Sequence, residues 1–257
     1  METIQIDHER WPALGVGTHK VHMQGGVESL KNALEIGYTL FDTAEGYGNG
    51  KFETLLGKVI KNHDREDLLI ISKVSPENCS FIGIIKAAKA TTARLGTHVD
   101  LYLIHSPPKR PIKEVISAME KVADMGLTRF IGVSNFDPLE TRKAVYSAKR
   151  YPLVANESKM SLTYPNSKLK EACDDLGLAF IAYSPLDKGE LIKDERVVKE
   201  AKIQKKTPSQ TALRWILDQK ALPLVRAADK HHLKENLGAL DWKLKNPKGL
   251  MDKFLIE

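Results

Sequence analysis

Short apolar runs alternate with longer amphipathic stretches along the whole chain. The runs ALGVG (13–17), TLF (39–41), LLIIS (68–72), LYLI (101–104), RFIGV (129–133), LVA (153–155), LAFIA (178–182) and LPLV (222–225) are nearly continuous in apolar residues. Strands buried on both faces of a parallel sheet have this pattern. Helix-like segments lie between them. In 112–126, Ile112, Val115, Ile116, Met119, Val122 and Ala123 share one face at the spacing of an amphipathic helix. Asp137-Pro138-Leu139-Glu140 and Thr207-Pro208-Ser209-Gln210 read as helix starts, with a cap, a proline at the first helical position and a reciprocal acid or amide at the third. Gly37, Gly96, Gly126 and Gly177 read as helix ends. Eight strands, each followed by a helix, predict an α/β fold of the closed (β/α)8 TIM-barrel type, filling residues 1–257 as one domain.

Length agrees, since such barrels run to roughly 250 residues and this chain has 257. Composition adds exclusions. With 42% hydrophobic and 28% charged residues the chain is neither disordered nor fibrous. No apolar run is long enough for a membrane span, and the first twenty residues lack the apolar core of a signal peptide. The net charge of +6 is spread along the chain beside acids, without the aromatic interleaving of a nucleic-acid surface. The reading is a cytoplasmic protein with no nucleic-acid or membrane partner, a monomer or weak homo-oligomer. Cys79 and Cys173 are read as reduced packing residues.

Chemistry in a parallel barrel gathers at the C-terminal ends of the strands. There the apolar runs give way to Asp42, Lys73, His105, Ser134-Asn135, Asn156-Glu157, Tyr183-Ser184 and Arg226. An acid, an amine and an imidazole on adjacent strands converge on one small volume. Tyr47 lies in the glycine-rich loop Glu45–Gly50, which folds the phenol back over the strand ends. A free phenol titrates at about 10, and a neighbouring Lys73 ammonium is expected to lower that value. Asp42 would hold Lys73 charged, and His105 would hydrogen-bond a substrate oxygen. Such a group is a general acid for a carbonyl oxygen that gains charge as hydride arrives.

Several stretches together resemble the aldo-keto reductase family. They are Phe41–Gly48, Ile71–Val74, Val99–His105, Ile131–Phe136, Ala182–Leu186, Pro208–Trp215 and Glu235-Asn236, in order and spanning about residues 13–244. The resemblance implies a barrel that binds NADP(H) without a Rossmann fold, with NAD(H) left open. It also implies hydride transfer between the nicotinamide and an aldehyde, ketone, sugar or alcohol substrate. Tyr47 would be the proton donor, supported by Asp42, Lys73 and His105. Ser134, Asn135 and Glu157 would face the carboxamide, and Tyr183 would stack on the ring. Ser184 and Leu186 would lie along the pyrophosphate, and Gly17, Thr18 and Asp42 would line the cofactor. Arg226, His232, Glu235 and Asn236 would lie at its adenosine phosphate end. His19, Tyr47 and His105 would line the substrate site.

The chain departs from the family pattern at Glu157, where the family usually has Gln, at Arg226 in place of Lys, and at His232 in place of a frequent Arg. Ionised Glu157 can accept a hydrogen bond but not donate one, and His232 is fully charged only below its ordinary pKa. Ser106 and His19 replace frequent aromatics. The short tail after Leu244 suggests an open pocket. Other patterns carry less. Gly46, Gly48, Gly50 and Lys51 fail the phosphate-loop spacing at Glu45 and Phe52, and Gly15-x-Gly17 lacks the rest of a dinucleotide fingerprint. No metal site is expected: His19 and His22 read as loop or pocket residues, and His231 and His232, adjacent on a helix, as pointing apart. Two other functions stay open. A cofactor-sensing regulatory subunit would bind the nucleotide without turnover. A lyase would use Lys73 as a Schiff-base amine, which requires the neutral lysine that Asp42 opposes.

Overall fold

All eight apolar runs become strands of one parallel sheet that closes on itself in the computed structural model, which describes residues 2–19, 25–226 and 229–255. A hairpin of β1 (Thr3–Ile6) and β2 (Glu9–Pro12) comes first. Then follow β3 (Gly15–Gly17), α1 (Gly26–Glu35), β4 (Leu40–Asp42), α2 (Lys51–Ile60), β5 (Leu69–Val74) and α3 (Phe81–Leu95). Next are β6 (Val99–Ile104), α4 (Ile112–Asp124), β7 (Thr128–Ser134), α5 (Pro138–Val145), β8 (Leu153–Lys159) and α6 (Ser167–Asp175). The chain continues with β9 (Ala179–Tyr183), α7 (Glu195–Gln204), α8 (Pro208–Asp218), β10 (Ala221–Arg226), α9 (Lys230–Leu237) and α10 (Pro247–Leu255). The barrel runs β10-β3-β4-β5-β6-β7-β8-β9, with β10 pairing β3 to close it. This is the (β/α)8 TIM barrel the pattern predicts.

Strand pleating divides the core in two. Outward residues such as Phe41, Ile70, Tyr102, Ile131 and Phe180 pack against the helices. Inward residues Leu40, Ile71, Leu101, Leu103, Ala155, Ile181, Leu222 and Leu224 fill the barrel. Gly132 of β7 also belongs inside: a Cβ there would sit 2.6 Å from the Ala155 carbonyl oxygen and 2.7 Å from Leu103. Both capping boxes form, at Asp137/Glu140 and Thr207/Gln210, and the four helix-ending glycines all take positive φ.

Three features depart from the sequence expectation. The β1–β2 hairpin was not anticipated. It buries Ile6 and Trp11 against the inward cluster, among Leu69 and Ala179 where their strands begin, and so plugs the N-terminal end of the barrel. Second, two helices, α7 and α8, connect β9 to β10 in place of one. Third, the tail after Leu244 is a helix: Leu250 is buried, and the Arg196 guanidinium of α7 stacks on Phe254 at 3.9 Å. Cys79 and Cys173 are free and buried, as expected. Among the described residues no helix is long and apolar enough to cross a membrane. His22 lies outside them.

Candidate active site

The pleat that fills the barrel with apolar residues also builds the site. Two residues beyond an inward Leu40, Ile71, Leu103, Ala155 and Ile181 stand Asp42, Lys73, His105, Glu157 and Tyr183. The same face of each strand thus turns from apolar to polar at its C-terminal end. Lys73 and Glu157 lie inside their strands and not after them, because β5 and β8 extend beyond their apolar runs.

Asp42, Lys73 and Glu157 are 4%, 1% and 2% exposed. The Lys73 ammonium pairs closely with Asp42 Oδ2, donates to the Thr43 carbonyl at 3.2 Å and lies 3.2 Å from Glu157 Oε2. It also stands 5.5 Å from the centroid of the Tyr47 ring. That ring meets His105 edge-on at 5.5 Å and His19 at 4.8 Å. The structure therefore brings together Asp42, Tyr47, Lys73 and His105, with His19 beside them.

Glu45 fixes the loop carrying Tyr47. Its Oε1 accepts from the Ser75 backbone N–H at 2.6 Å and from Asn78 Nδ2 at 2.9 Å. Gly46 allows a close approach, since a Cβ there would stand 3.1 Å from Ser75 Oγ. Sequence reasoning assigned Glu45 no role. Its signal is that it is the one acid in the glycine-rich loop.

Electrostatics corrects one expectation. Burial pushes the Tyr47 phenol up, and Asp42 and Glu157 offset the lowering by Lys73. The sequence reading counted one cation and missed both the burial and the second carboxylate. Burial alone would lower Lys73, but Asp42 and Glu157 more than reverse it, so the amine stays charged. A neutral Schiff-base lysine is thereby disfavoured. Burial also raises Asp42 against the pull of Lys73. Glu157, buried and facing Asp42, is pushed from 4.5 to about 8. Burial and the Lys73 charge lower His105 to about 4, so its imidazole is neutral at pH 7.

Residues 13–248 match the model of the Aldo/keto reductase family. The chain belongs to the aldo-keto reductase family. It is 32% identical to a glyoxal reductase of Bacillus subtilis, over 91% of this chain and 84% of that protein. It is equally 32% identical to an aldo-keto reductase of Mycolicibacterium vanbaalenii, over 93% and 86% of the two chains. A thermostable aldo-keto reductase, Tm1743, solved with the inhibitor epalrestat, superposes with a TM-score of 0.92 at 36% identity, covering 99% of this chain and 100% of its own. The aldose reductase of Schistosoma japonicum gives 0.93 at 29% identity, covering 100% and 93%. These reductases place the chain among oxidoreductases of a family that uses nicotinamide cofactors.

The strand ends of this aldo-keto reductase fit such a cofactor. Glu157 Oε2 is buried 3.2 Å from the Lys73 ammonium without a well-directed hydrogen bond, so it keeps a polar valence for a ligand. Ser134 pairs with Glu157 in the β7–β8 register. Asn135, at φ 60°, donates to the His105 carbonyl at 3.0 Å and to Ser134 Oγ at 3.1 Å. Tyr183 donates to Asn135 Oδ1 at 2.8 Å, so phenol and amide are already linked. Ser184 also takes positive φ, and Leu186 packs on the outer core. Gly17 is in register with both Asp42 and Arg226. Thr18 is buried, and its hydroxyl donates to Thr43 Oγ1 at 3.0 Å.

Arg226 is exposed at the end of β10. His232 lies 2.6 Å from Asp229 Oδ2, an acid beside the position expected to meet a phosphate. Asn236 is buried, and Glu235 offers its carbonyl to Gln210 Nε2 at 2.9 Å. His231 and His232 do not point apart: their rings meet edge-on at 5.6 Å, with ligand atoms of both and of Glu235 within 4.8 Å of one another.

Proposed function

We propose that the chain is a carbonyl reductase that prefers NADP(H), with Tyr47 as proton donor and Asp42, Lys73 and His105 in support. The observation that carries the reading is Lys73, buried and charged, held between Asp42 and Glu157 with the Tyr47 ring 5.5 Å away. The bound nicotinamide supplies the hydride. Tyr47, kept protonated by its raised pKa, holds a proton for the carbonyl oxygen throughout the neutral range. Charged Lys73 stabilises the phenolate left behind. Asp42 orients and holds the ammonium. Neutral His105 hydrogen-bonds the substrate oxygen and does not compete as an acid. Small aldehydes and sugars are the expected substrates, with the polar rings of His19, Tyr47 and His105 grouped beside Lys73.

At the nucleotide's other end, Arg226 would fork the 2′-phosphate, with His232, Glu235 and Asn236 beside it. Ser134, Asn135 and Glu157 would hold the carboxamide, Tyr183 the ring face, and Ser184 and Leu186 the pyrophosphate. Gly17 leaves room for the cofactor near Asp42. The experiment is consumption of NADPH, and of NADH, by purified protein supplied with glyoxal. Faster use of NADPH is expected. Turnover with neither nucleotide on glyoxal, a sugar and an aromatic aldehyde would remove the reading.

A further inference from the structure

We propose that Glu157 makes this chain's choice between oxidised and reduced nicotinamide proton-linked: its carboxylate favours the positively charged oxidised ring, and its neutral acid the reduced one. The inference rests on the proposed reaction and deepens it. Hydride and proton go to the two atoms of one carbonyl, so the ring must lie close to the carbonyl that Tyr47 protonates. Tyr47 neighbours Lys73, and Lys73 lies 3.2 Å from Glu157 Oε2. Any charge on the ring therefore falls within strong range of Glu157 in a buried site, where interactions are weakly screened.

Glu157 can change charge where an amide cannot. Two buried carboxyls compete for one ammonium, and Asp42 holds it in the closer pair. One buried anion is balanced by Lys73; a second would be left in excess, which is costly away from water. The proton that relieves the excess goes to Glu157, in keeping with its raised pKa. A positive ring replaces that proton as the second cation.

The other titratable groups facing Glu157 do not supply this change. Lys73 of β5 stays charged, and His105 after β6 stays neutral. The phenols of Tyr47 and, on β9, Tyr183 are raised. Asp42 of β4 titrates with Glu157 as one pair. Lys159, on Glu157's own strand, pairs with Asp187 at 3.1 Å. His19, beyond β3, is kept in the variant used below. The 2′-phosphate is common to both nucleotides and cancels in their ratio.

Calorimetric titration of NADP+ and NADPH at about pH 6.5 and about pH 9.5, either side of the Glu157 range, tests the link. In the wild type the ratio Kd(NADP+)/Kd(NADPH) is expected to fall about ten-fold with rising pH, the equivalent of one pKa unit between the two complexes. In Glu157→Gln the ratio should move less than about two-fold, below what one resolved pKa unit would give. A flat ratio in the wild type, or an equal fall in the variant, overturns the proposal and leaves the reductase reading intact. Wild type that binds neither nucleotide overturns both. If the variant does not fold, proton counting on the wild type decides. Calorimetry near the Glu157 midpoint in two buffers of different ionisation enthalpy should show more protons released with NADP+ than with NADPH. Equal counts would refute it.

Discussion

The two ends of the barrel interior are made from the same strands and the same pleat, yet obey opposite rules. At the N-terminal end Trp11 and Ile6 of the β1–β2 hairpin close over inward aliphatic side chains as one apolar cluster. At the C-terminal end the next inward positions are Asp42, Lys73 and Glu157, ionisable and almost as deeply buried. The first arrangement gains stability from apolar burial. The second costs stability, because each buried charge loses water and depends on the next for compensation. The strands themselves place Asp42, Lys73 and Glu157, while Tyr47 comes from the turn pinned by Glu45.

The sharpest way to separate the ends is to remove one group from each. Tyr47→Phe deletes the proposed proton donor and leaves the ring. General acid catalysis contributes about 10²–10⁴-fold, so kcat for glyoxal reduction should fall by that order while NADPH binding, read by calorimetry, persists. Retained turnover would exclude Tyr47 as the donor. Trp11→Ala acts at the opposite end. Truncating a fully buried aromatic residue costs about 3–5 kcal/mol, to be read as a lower denaturation midpoint. In the surviving folded fraction the pH dependence of turnover should be unchanged. An altered profile would mean that the plug tunes the charged cluster.

The third test concerns only the charged end. The folded pKa of Glu157 lies above its ordinary value, 4.5 against about 8. Folded protein therefore holds a proton that unfolded protein gives up across that window. This contribution to stability is complete below about pH 4.5 and is lost as pH rises through about 8. Glu157→Gln removes it. The variant's denaturation midpoint should gain on the wild type more at about pH 9 than at about pH 5. An equal difference at both values would show that Glu157 carries no proton across that range.

The eight strands were legible in the sequence because burial on both faces makes them continuous apolar runs. The grouping of Asp42, Lys73, His105 and Tyr47 as a candidate site was legible because each follows such a run or lies in a loop beside one. The hairpin was not. TIQI and ERWP are short and half polar, and only the barrel end they cover explains Ile6 and Trp11. The helix α7 carries many charges and a weak apolar stripe, and the tail helix depends on Arg196 and Leu250, distant contacts that local pattern does not record. The meeting of Glu157 with Lys73 joins strands that are not neighbours. Counting two residues on from inward Ala155 would have found it. The Tyr47 pKa went astray for a related reason: one cation is visible in a motif, whereas burial and a second carboxylate appear only once the barrel closes.

The smallest effect is expected where the hairpin meets solvent. Arg129 of β7 pairs closely with Glu9 of β2, both groups well exposed, and also donates to Asp100 Oδ1 at 3.0 Å. Glu9→Gln removes one partner and leaves the other, so no charge is stranded. Exposed pairs contribute about 0–1 kcal/mol, and the change in denaturation midpoint should be a small fraction of that for Trp11→Ala. It should shrink further in high salt, which screens surface pairs. A loss comparable to Trp11→Ala would mean that the ion pair, and not the buried indole, holds the plug in place. The contrast between an apolar end and a charged end would then fail at the hairpin itself.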